Sequence, residues 1–99
     1  MNYFIDFSQI SHESDLYKSL AKELVLPGYF GENLDALWDS LTGYLALPAS
    51  IHFIDITQEQ VNRFSEIIRV FEDAHLELGD KLTFKIHPLP PGEPEDLGI

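Results

Sequence analysis

The stretch that decides the fold is PGYFGENLDALWDSLTGY, residues 27–44. Pro27-Gly28 fits the two central positions of a type II turn, because proline presets φ and glycine accepts a positive φ. Asn33 is a favourable N-cap, since its side-chain carbonyl can accept a free N–H group of the first turn. Gly43 is a suitable helix stop. The stretch therefore predicts a loop followed by a helix over Leu34–Thr42.

The predicted helix carries two stripes at about 100° per residue. The apolar stripe, which should face the core, consists of Leu34, Leu37 and Leu41. The acidic stripe consists of Asp35, Trp38, Asp39 and Thr42. Asp35 and Asp39 are like charges at i, i+4, which costs a helix roughly 0.2–0.5 kcal/mol, and no Lys or Arg is near enough in sequence to pair with them. Like charges that no neighbouring basic side chain offsets are typical of a functional site. A solvated acidic face with a core tryptophan at its edge would show the same spacing.

The segment Tyr29–Gly43 resembles the core motif of the barstar family, the intracellular inhibitors of the secreted ribonuclease barnase and its relatives. The resemblance is nearly uninterrupted over these residues and continues on both sides. The further matching positions are Ile10, Leu16, Lys22-Glu23-Leu24, Leu26-Pro27, Pro48 and Val70-Phe71. In all, the resemblance covers about residues 4–86. It also favours a cis Leu47-Pro48 bond, which the low frequency of cis X–Pro bonds alone would not.

The resemblance implies a role for individual residues in occluding a nuclease active site. Asp39 would enter the phosphate-binding pocket, Asp35 would lie near the catalytic residues, and Tyr29 would pack over the catalytic histidine. Gly31 and Asn33 would shape the loop for close approach. The full set of partner-binding residues implied in this way is Tyr29, Gly31, Asn33, Leu34, Asp35, Trp38, Asp39, Thr42, Gly43, Tyr44, Asp73 and Glu77.

The charge of the chain indicates what kind of partner it can bind. Seventeen acidic side chains against six basic ones give a formal net charge of −11 over 99 residues. No Lys or Arg lies between Lys22 and Arg63. A field of this sign repels nucleic acid and anionic membranes and attracts basic proteins, although acidity that serves only solubility would look the same.

The rest of the chain predicts a small α/β domain. The predicted strands are Tyr3–Phe7, Ile51–Asp55 and Lys81–His87. A helix capped by Ser11 or Ser14 should run to about Leu24, and a helix started by the Thr57–Gln60 capping box should run nearly continuously to about Leu78. Strands joined through helices pair in parallel. The expected fold is therefore a three-stranded parallel sheet with helices packed on it and one sheet face less well covered.

The length and composition predict one domain and a tail. A chain of this size can bury a single modest core, and the predicted inhibitor domain covers residues 1–87. Residues 88–99 are rich in Pro, Gly and acidic side chains and should form a disordered tail. There is no cysteine, no apolar run of the ~18–20 residues that a membrane span needs, and no signal-peptide pattern at residues 1–10. The expected location is the cytoplasm.

Other chemistry finds little support in the sequence. The four histidines show no metal-ligand spacing, and no phosphate-binding glycine motif is present, so neither a metal nor a cofactor is expected. Asp35 and Asp39 could act as an acid/base pair, but they would lie on a convex helix rather than in a cleft, so an enzyme is not expected. Two functions stay open. The chain is a monomeric inhibitor that binds a basic, barnase-like ribonuclease one to one, or it is a barstar-like binding module for another basic protein, such as a non-nuclease toxin or regulator.

Overall fold

The computed structural model describes residues 1–27 and 31–89 of the chain. Its strands are β1 (Asn2–Asp6), β2 (Ala49–Ile56) and β3 (Leu82–Pro88). Its α-helices are α1 (Glu13–Glu23), α2 (Leu34–Gly43), α3 (Gln58–Arg63) and α4 (Ser65–Leu78). Short 3-10 helices cover Phe7–Gln9 and Gly79–Lys81. Strands and helices follow one another in the predicted order.

The three strands form one parallel sheet in the order β1-β2-β3, which confirms the predicted α/β architecture. Ile5 pairs with Phe53, and Phe53 pairs with Ile86, so alternate residues of neighbouring strands share a face. A register shift near the end of β2 places Asp55 in a bulge with a φ of 54°. Aspartate adopts this left-handed conformation more readily than most residues.

Phe53 is the centre of the core on the covered face of the sheet. Its ring centroid lies 4.8 Å from that of Phe7, 5.1 Å from that of Phe71 and 4.9 Å from that of Phe84. Fully or almost fully buried side chains reach this core from α1, α2 and α4, namely Leu16, Leu20, Leu37, Leu41, Ile67 and Phe71. The shared core holds α2 in a fixed position relative to the sheet.

The other face of the sheet is only partly covered, as predicted. Phe4 is 51% exposed and stacks on His52 with 4.8 Å between ring centroids. His52 Nε2 lies 3.2 Å from Asn2 Oδ1, and His52 Nδ1 lies 3.0 Å from His87 Nε2. The amide oxygen of Asn2 can only accept, so Nε2 of neutral His52 donates to it and Nδ1 accepts from His87. A hydrogen-bonded chain thus crosses all three strands.

Acidification should weaken this hydrogen-bonded chain. Desolvation lowers the pKa of His52, and the neighbouring His87 and Lys85 add to the effect. Folded protein therefore takes up this proton at a lower pH than unfolded chain, in which histidine titrates near pH ~6.5. The contribution of neutral His52 to the free energy of unfolding is complete above that pH and is lost as the pH falls through the lower folded-state pKa.

Urea unfolding from about pH 8 to about pH 5 measures this loss, since only histidine ordinarily titrates in that window. We expect the stability of His52→Gln to fall less with pH than that of the wild type. Equal slopes for the two proteins would contradict the expectation.

The start of α1 differs from the prediction. The N-cap is His12, so neither Ser11 nor Ser14 caps the helix. Asp15 accepts hydrogen bonds from the backbone N–H groups of His12 (2.9 Å) and Ser11 (3.1 Å). These bonds lower the pKa of its carboxyl. An aspartate therefore supplies the reciprocal half of the capping box, for which the sequence pattern offered no glutamate.

The end of α1 is a Schellman motif with an unusual residue at its centre. The N–H of Leu26 donates to the carbonyl oxygen of Ala21 (2.9 Å), and the N–H of Val25 donates to that of Lys22 (3.3 Å). Val25 has a φ of 54°, which strains a β-branched residue. It is also 73% exposed, so its packing offsets little of that strain.

Val25→Gly should stabilise the fold. Relief of left-handed strain, about 1–2 kcal/mol, exceeds the extra chain entropy of glycine, about 0.5–1 kcal/mol. We expect a rise of up to about 1 kcal/mol in the free energy of unfolding, measured by denaturant titration. Val25→Ala is the control and should gain less, because it keeps the Cβ atom. A less stable Val25→Gly protein would show that the valine side chain is needed.

Gln60 joins the start of α3 to the segment that follows β1. It forms the predicted capping box with Thr57: Gln60 N–H donates to Thr57 Oγ1 (3.1 Å), and Thr57 N–H donates to Gln60 Oε1 (2.9 Å). Gln60 Nε2 also donates to the carbonyl oxygens of Phe7 and Ile10, at 2.9 Å each. One buried amide therefore satisfies three backbone groups from two parts of the chain.

The helix predicted to run nearly continuously to Leu78 is interrupted at Phe64. This residue has φ −100° and ψ 24° and separates α3 from α4. Its buried ring lies 6.1 Å from that of Phe7, so the interruption turns Phe64 into the core. α4 then ends at Leu78, and its C-cap is Gly79, whose φ of 61° and ψ of −136° suit glycine alone.

The connection between α2 and β2 contains a cis peptide bond. It is the Leu47-Pro48 bond, as the resemblance favours. β3 extends through Pro88, the first residue of the predicted tail, and the N–H of Leu89 donates to the carbonyl oxygen of Ile56 (2.8 Å). Residues 90–99 lie outside the described part.

In residues 1–27 and 31–89, no helix is long and apolar enough to cross a membrane.

Candidate protein-binding site

Buried leucines and a helix cap hold α2 in place. Leu37 and Leu41 have no exposed surface, and Leu34 is partly buried against the same core. Leu34 therefore contributes mainly to packing. Asn33 is the N-cap, as predicted, and its side-chain oxygen accepts from the N–H of Ala36 at 2.8 Å. The helix consequently presents its opposite side to solvent as a fixed surface.

The loop before α2 packs closely around Gly31. A Cβ atom at this position would lie 2.9 Å from Asn33 Nδ2 and 3.5 Å from Ala36 Cβ, so a side chain would displace the cap. Glu32 Oε1 accepts a hydrogen bond from Ser14 Oγ at 3.0 Å, which joins the loop to α1. The sequence gives no sign of this contact, because the two residues are 18 positions apart and form no local pattern.

The acidic stripe lies on the solvent side of α2. Asp35 and Asp39 are exposed, and neither carboxylate makes a hydrogen bond or salt bridge to any residue that the structure describes. Trp38 is half-buried beside them, and its carbonyl oxygen accepts from Thr42 Oγ1 at 2.8 Å. Two unpaired carboxylates one turn apart can accept hydrogen bonds from guanidinium or ammonium groups of a partner.

The other predicted site residues lie at the end of α2 and on α4. Gly43, the last residue of α2 and one beyond the predicted end, is exposed, and Tyr44 after it is 53% exposed. Asp73 and Glu77 are exposed one turn apart on α4, which packs directly against α2. The structure thus brings both acidic helices into contact. Tyr29 falls outside the described residues.

The geometry of the acidic stripe suits the binding of a protein. Among the described residues, no three His, Cys, Asp or Glu side chains are grouped to hold a metal ion. A groove of about 650 Å³ lies elsewhere, between α4 and β3. The stripe itself is on a convex helix, and carboxylates on a convex surface can enter a cleft of a partner and bind cationic groups there.

The fold and the site together define a small α/β protein that presents a rigid acidic helix to solvent. The family model described as Barstar (barnase inhibitor) matches residues 1–87, and the chain belongs to this family. A Bacillus subtilis (strain 168) protein named "Putative ribonuclease inhibitor YrdF" is 36% identical over 87 residues. The match covers 83% of this chain and 91% of that relative. By its description, the family comprises inhibitors rather than enzymes.

Proposed function

We propose that this protein inhibits a basic, barnase-like ribonuclease by covering its active site with the acidic stripe and the preceding loop. The observation that carries the proposal is the pair of carboxylates of Asp35 and Asp39, which are exposed and have no partner among the described residues, on a helix anchored by buried leucines. Membership of the barstar family supports it further. The proposed place of action is the cytoplasm.

The proposed mechanism is occlusion by mimicry of phosphate. A ribonuclease active site holds its substrate with cationic side chains, which bind carboxylates by the same charge-assisted hydrogen bonds. Asp39 would take the place of a phosphate, Asp35 would lie beside the catalytic residues, and Tyr29 would pack over the catalytic histidine. Because α2 is held by the core before binding, little freedom is lost when the complex forms.

The net charge would raise the rate at which a basic partner associates. A charge of −11 attracts a basic partner over long range, and salt screens this attraction. Close charge pairs at the acidic stripe would instead govern dissociation. One inhibitor molecule, monomeric when free, would bind one ribonuclease molecule.

Titration of a barnase-like ribonuclease with this protein tests the proposal. We expect activity to fall linearly to zero at one equivalent. Asp80→Ala, which removes an exposed aspartate outside the predicted site, should leave the end point unchanged. Full nuclease activity in the presence of well-folded protein would overturn the inhibitor function and favour a binding module for another basic protein.

A further inference from the structure

A groove lies between α4 and β3, outside the acidic stripe. Its volume is about 650 Å³, within the range of ligand-binding clefts. The side chains that form most of it are Arg69, Glu72, Asp73, Leu76, Phe84 and Ile86. Phe84, Ile86 and Leu76 supply its apolar part, and the charged residues of α4 border it.

The groove is rigid on the side of β3. The ring of Phe84 stacks on Phe71 with 5.1 Å between centroids and an interplanar angle of 19°. It also meets the edge of Phe53 at 4.9 Å. His75, another lining residue, is fixed by a hydrogen bond from its Nδ1 to the carbonyl oxygen of Leu82 (2.6 Å). A preformed apolar surface of this kind loses little entropy when it binds a side chain.

Leu76 gives the groove an apolar rim. It is 80% exposed, and one exposed leucine alone would be ordinary. Here it adjoins the half-buried Phe84 and Ile86, so three apolar side chains form one continuous surface. Glu72 and Asp73 beside it outnumber Arg69, so the border of the groove is acidic, like the acidic stripe. An apolar centre with a polar border is the usual anatomy of a protein–protein contact.

The groove shares one residue with the predicted partner contact. Asp73 belongs to both, and α4, which carries it, packs against α2. A specific protein complex buries about 800 Å² on each partner, from about 20–30 residues. The acidic stripe and its neighbours supply fewer than that, so a protein bound there would extend over α4.

We propose that the groove takes an apolar side chain, of leucine, methionine or phenylalanine type, from the same basic partner that binds the acidic stripe. The inference rests on the proposed function and adds a second anchor to it. The partner's surface would then combine a cationic cleft with a protruding apolar residue. A partner with both features would bind more tightly than other basic proteins, which could bind the acidic stripe but would leave the groove empty.

The partner would dock through a side chain in the groove, and it would not add a strand to the sheet beside β3. β3 is an edge strand of the sheet, and such edges can pair with an extended peptide. Lys85 within β3 and Pro88 at its end are, however, the residues that protect sheet edges from such pairing. The apolar groove beside the strand has no such protection.

The inhibition constant for a barnase-like ribonuclease, measured for the wild type, Leu76→Ala and Leu89→Ala, tests the proposal. Leu89 is a matched control, because it is also exposed (47%) and does not line the groove. We expect Leu76→Ala to weaken inhibition about tenfold through faster dissociation, with unchanged association. Leu89→Ala should inhibit like the wild type. Thermal unfolding of both variants establishes that they are folded.

Each outcome decides between the two proposals. If the wild type inhibits and Leu76→Ala inhibits equally well, the groove has no part in binding, while the proposed function stands. An equal loss in Leu76→Ala and Leu89→Ala would also overturn the groove proposal, because the effect would not be local. If the wild type fails to inhibit, the proposed function is overturned and the groove proposal falls with it.

Discussion

Asp39→Ala should abolish tight inhibition while leaving the fold intact. Its carboxylate is exposed and unpaired among the described residues, so truncation removes no internal contact. In the complex it would be a buried, hydrogen-bonded partner of cationic groups. Removal of such a partner costs about 2–5 kcal/mol, and even the lower figure weakens affinity about thirtyfold. The loss of affinity should appear as faster dissociation of the complex.

The stability of this variant should stay level or rise slightly. Asp35 and Asp39 repel each other at i, i+4, and relief of that repulsion is worth roughly 0.2–0.5 kcal/mol. Asp39→Asn is the matched variant, since it keeps the shape and removes the charge. It should lose nearly as much inhibition as Asp39→Ala. Unchanged binding together with a lower melting temperature would show that Asp39 is structural and would remove the acidic stripe from the site.

Gln60→Glu should cause the largest loss of stability among the substitutions considered. The wild-type amide donates to the carbonyl oxygens of Phe7 and Ile10 and accepts from the N–H of Thr57. A carboxylate of the same shape keeps the acceptor but replaces the donor with an oxygen that faces two carbonyl oxygens. Both carbonyl oxygens lose this donor, although that of Phe7 keeps the N–H of Ile10 (3.2 Å) as a second partner. A lost buried hydrogen bond costs about 1–3 kcal/mol, and the introduced carboxylate also repels both carbonyl oxygens, so we expect a loss of about 3–5 kcal/mol in total.

The pH dependence identifies the cause of this loss. Protonation of the introduced carboxylate restores one donor, so the deficit of Gln60→Glu relative to wild type should shrink as the pH falls toward about 4–5. Gln60→Leu, which restores no donor at any pH, is the control and should show no such recovery. Denaturant unfolding at several pH values measures both. A deficit that does not vary with pH would point to altered packing instead of the lost hydrogen bonds.

The sequence predicted those parts of the fold that depend on local pattern. Asn33, the Thr57–Gln60 capping box and the parallel strands follow from side-chain chemistry and spacing, and the structure has them. The predicted cap of α1 was wrong, because the aspartate Asp15 takes the reciprocal role that the capping-box pattern gives to glutamate or glutamine. The helix predicted to run nearly continuously to Leu78 is broken at the single residue Phe64. The sequence did not locate this break, because its cause is tertiary: the ring packs on Phe7, which is distant in sequence.

The sequence indicates part of the proposed site. Like charges at Asp35 and Asp39 indicate it from the sequence, and their exposure agrees with that indication. The groove was not predicted, because Leu76 and Phe84 belong to different elements and become neighbours only when β3 packs beside α4. Hydrophobic periodicity assigns each residue to a helix or a strand but does not show which exposed residue of one element adjoins another.

The order of the strands has a consequence for the newly made chain. β2 is the central strand, and its two neighbours come from opposite ends of the chain. Asn2 of β1 pairs with Ser50 of β2, and Ala49 of β2 pairs with Leu82 of β3. The helix that carries the acidic stripe is complete by Gly43, yet α4, against which it packs, emerges from the ribosome later. At about 5–20 residues per second, synthesis of that remainder takes a few seconds. The surface that α2 and α4 form together is therefore finished only after α4 has been synthesised, well after the residues of the acidic stripe.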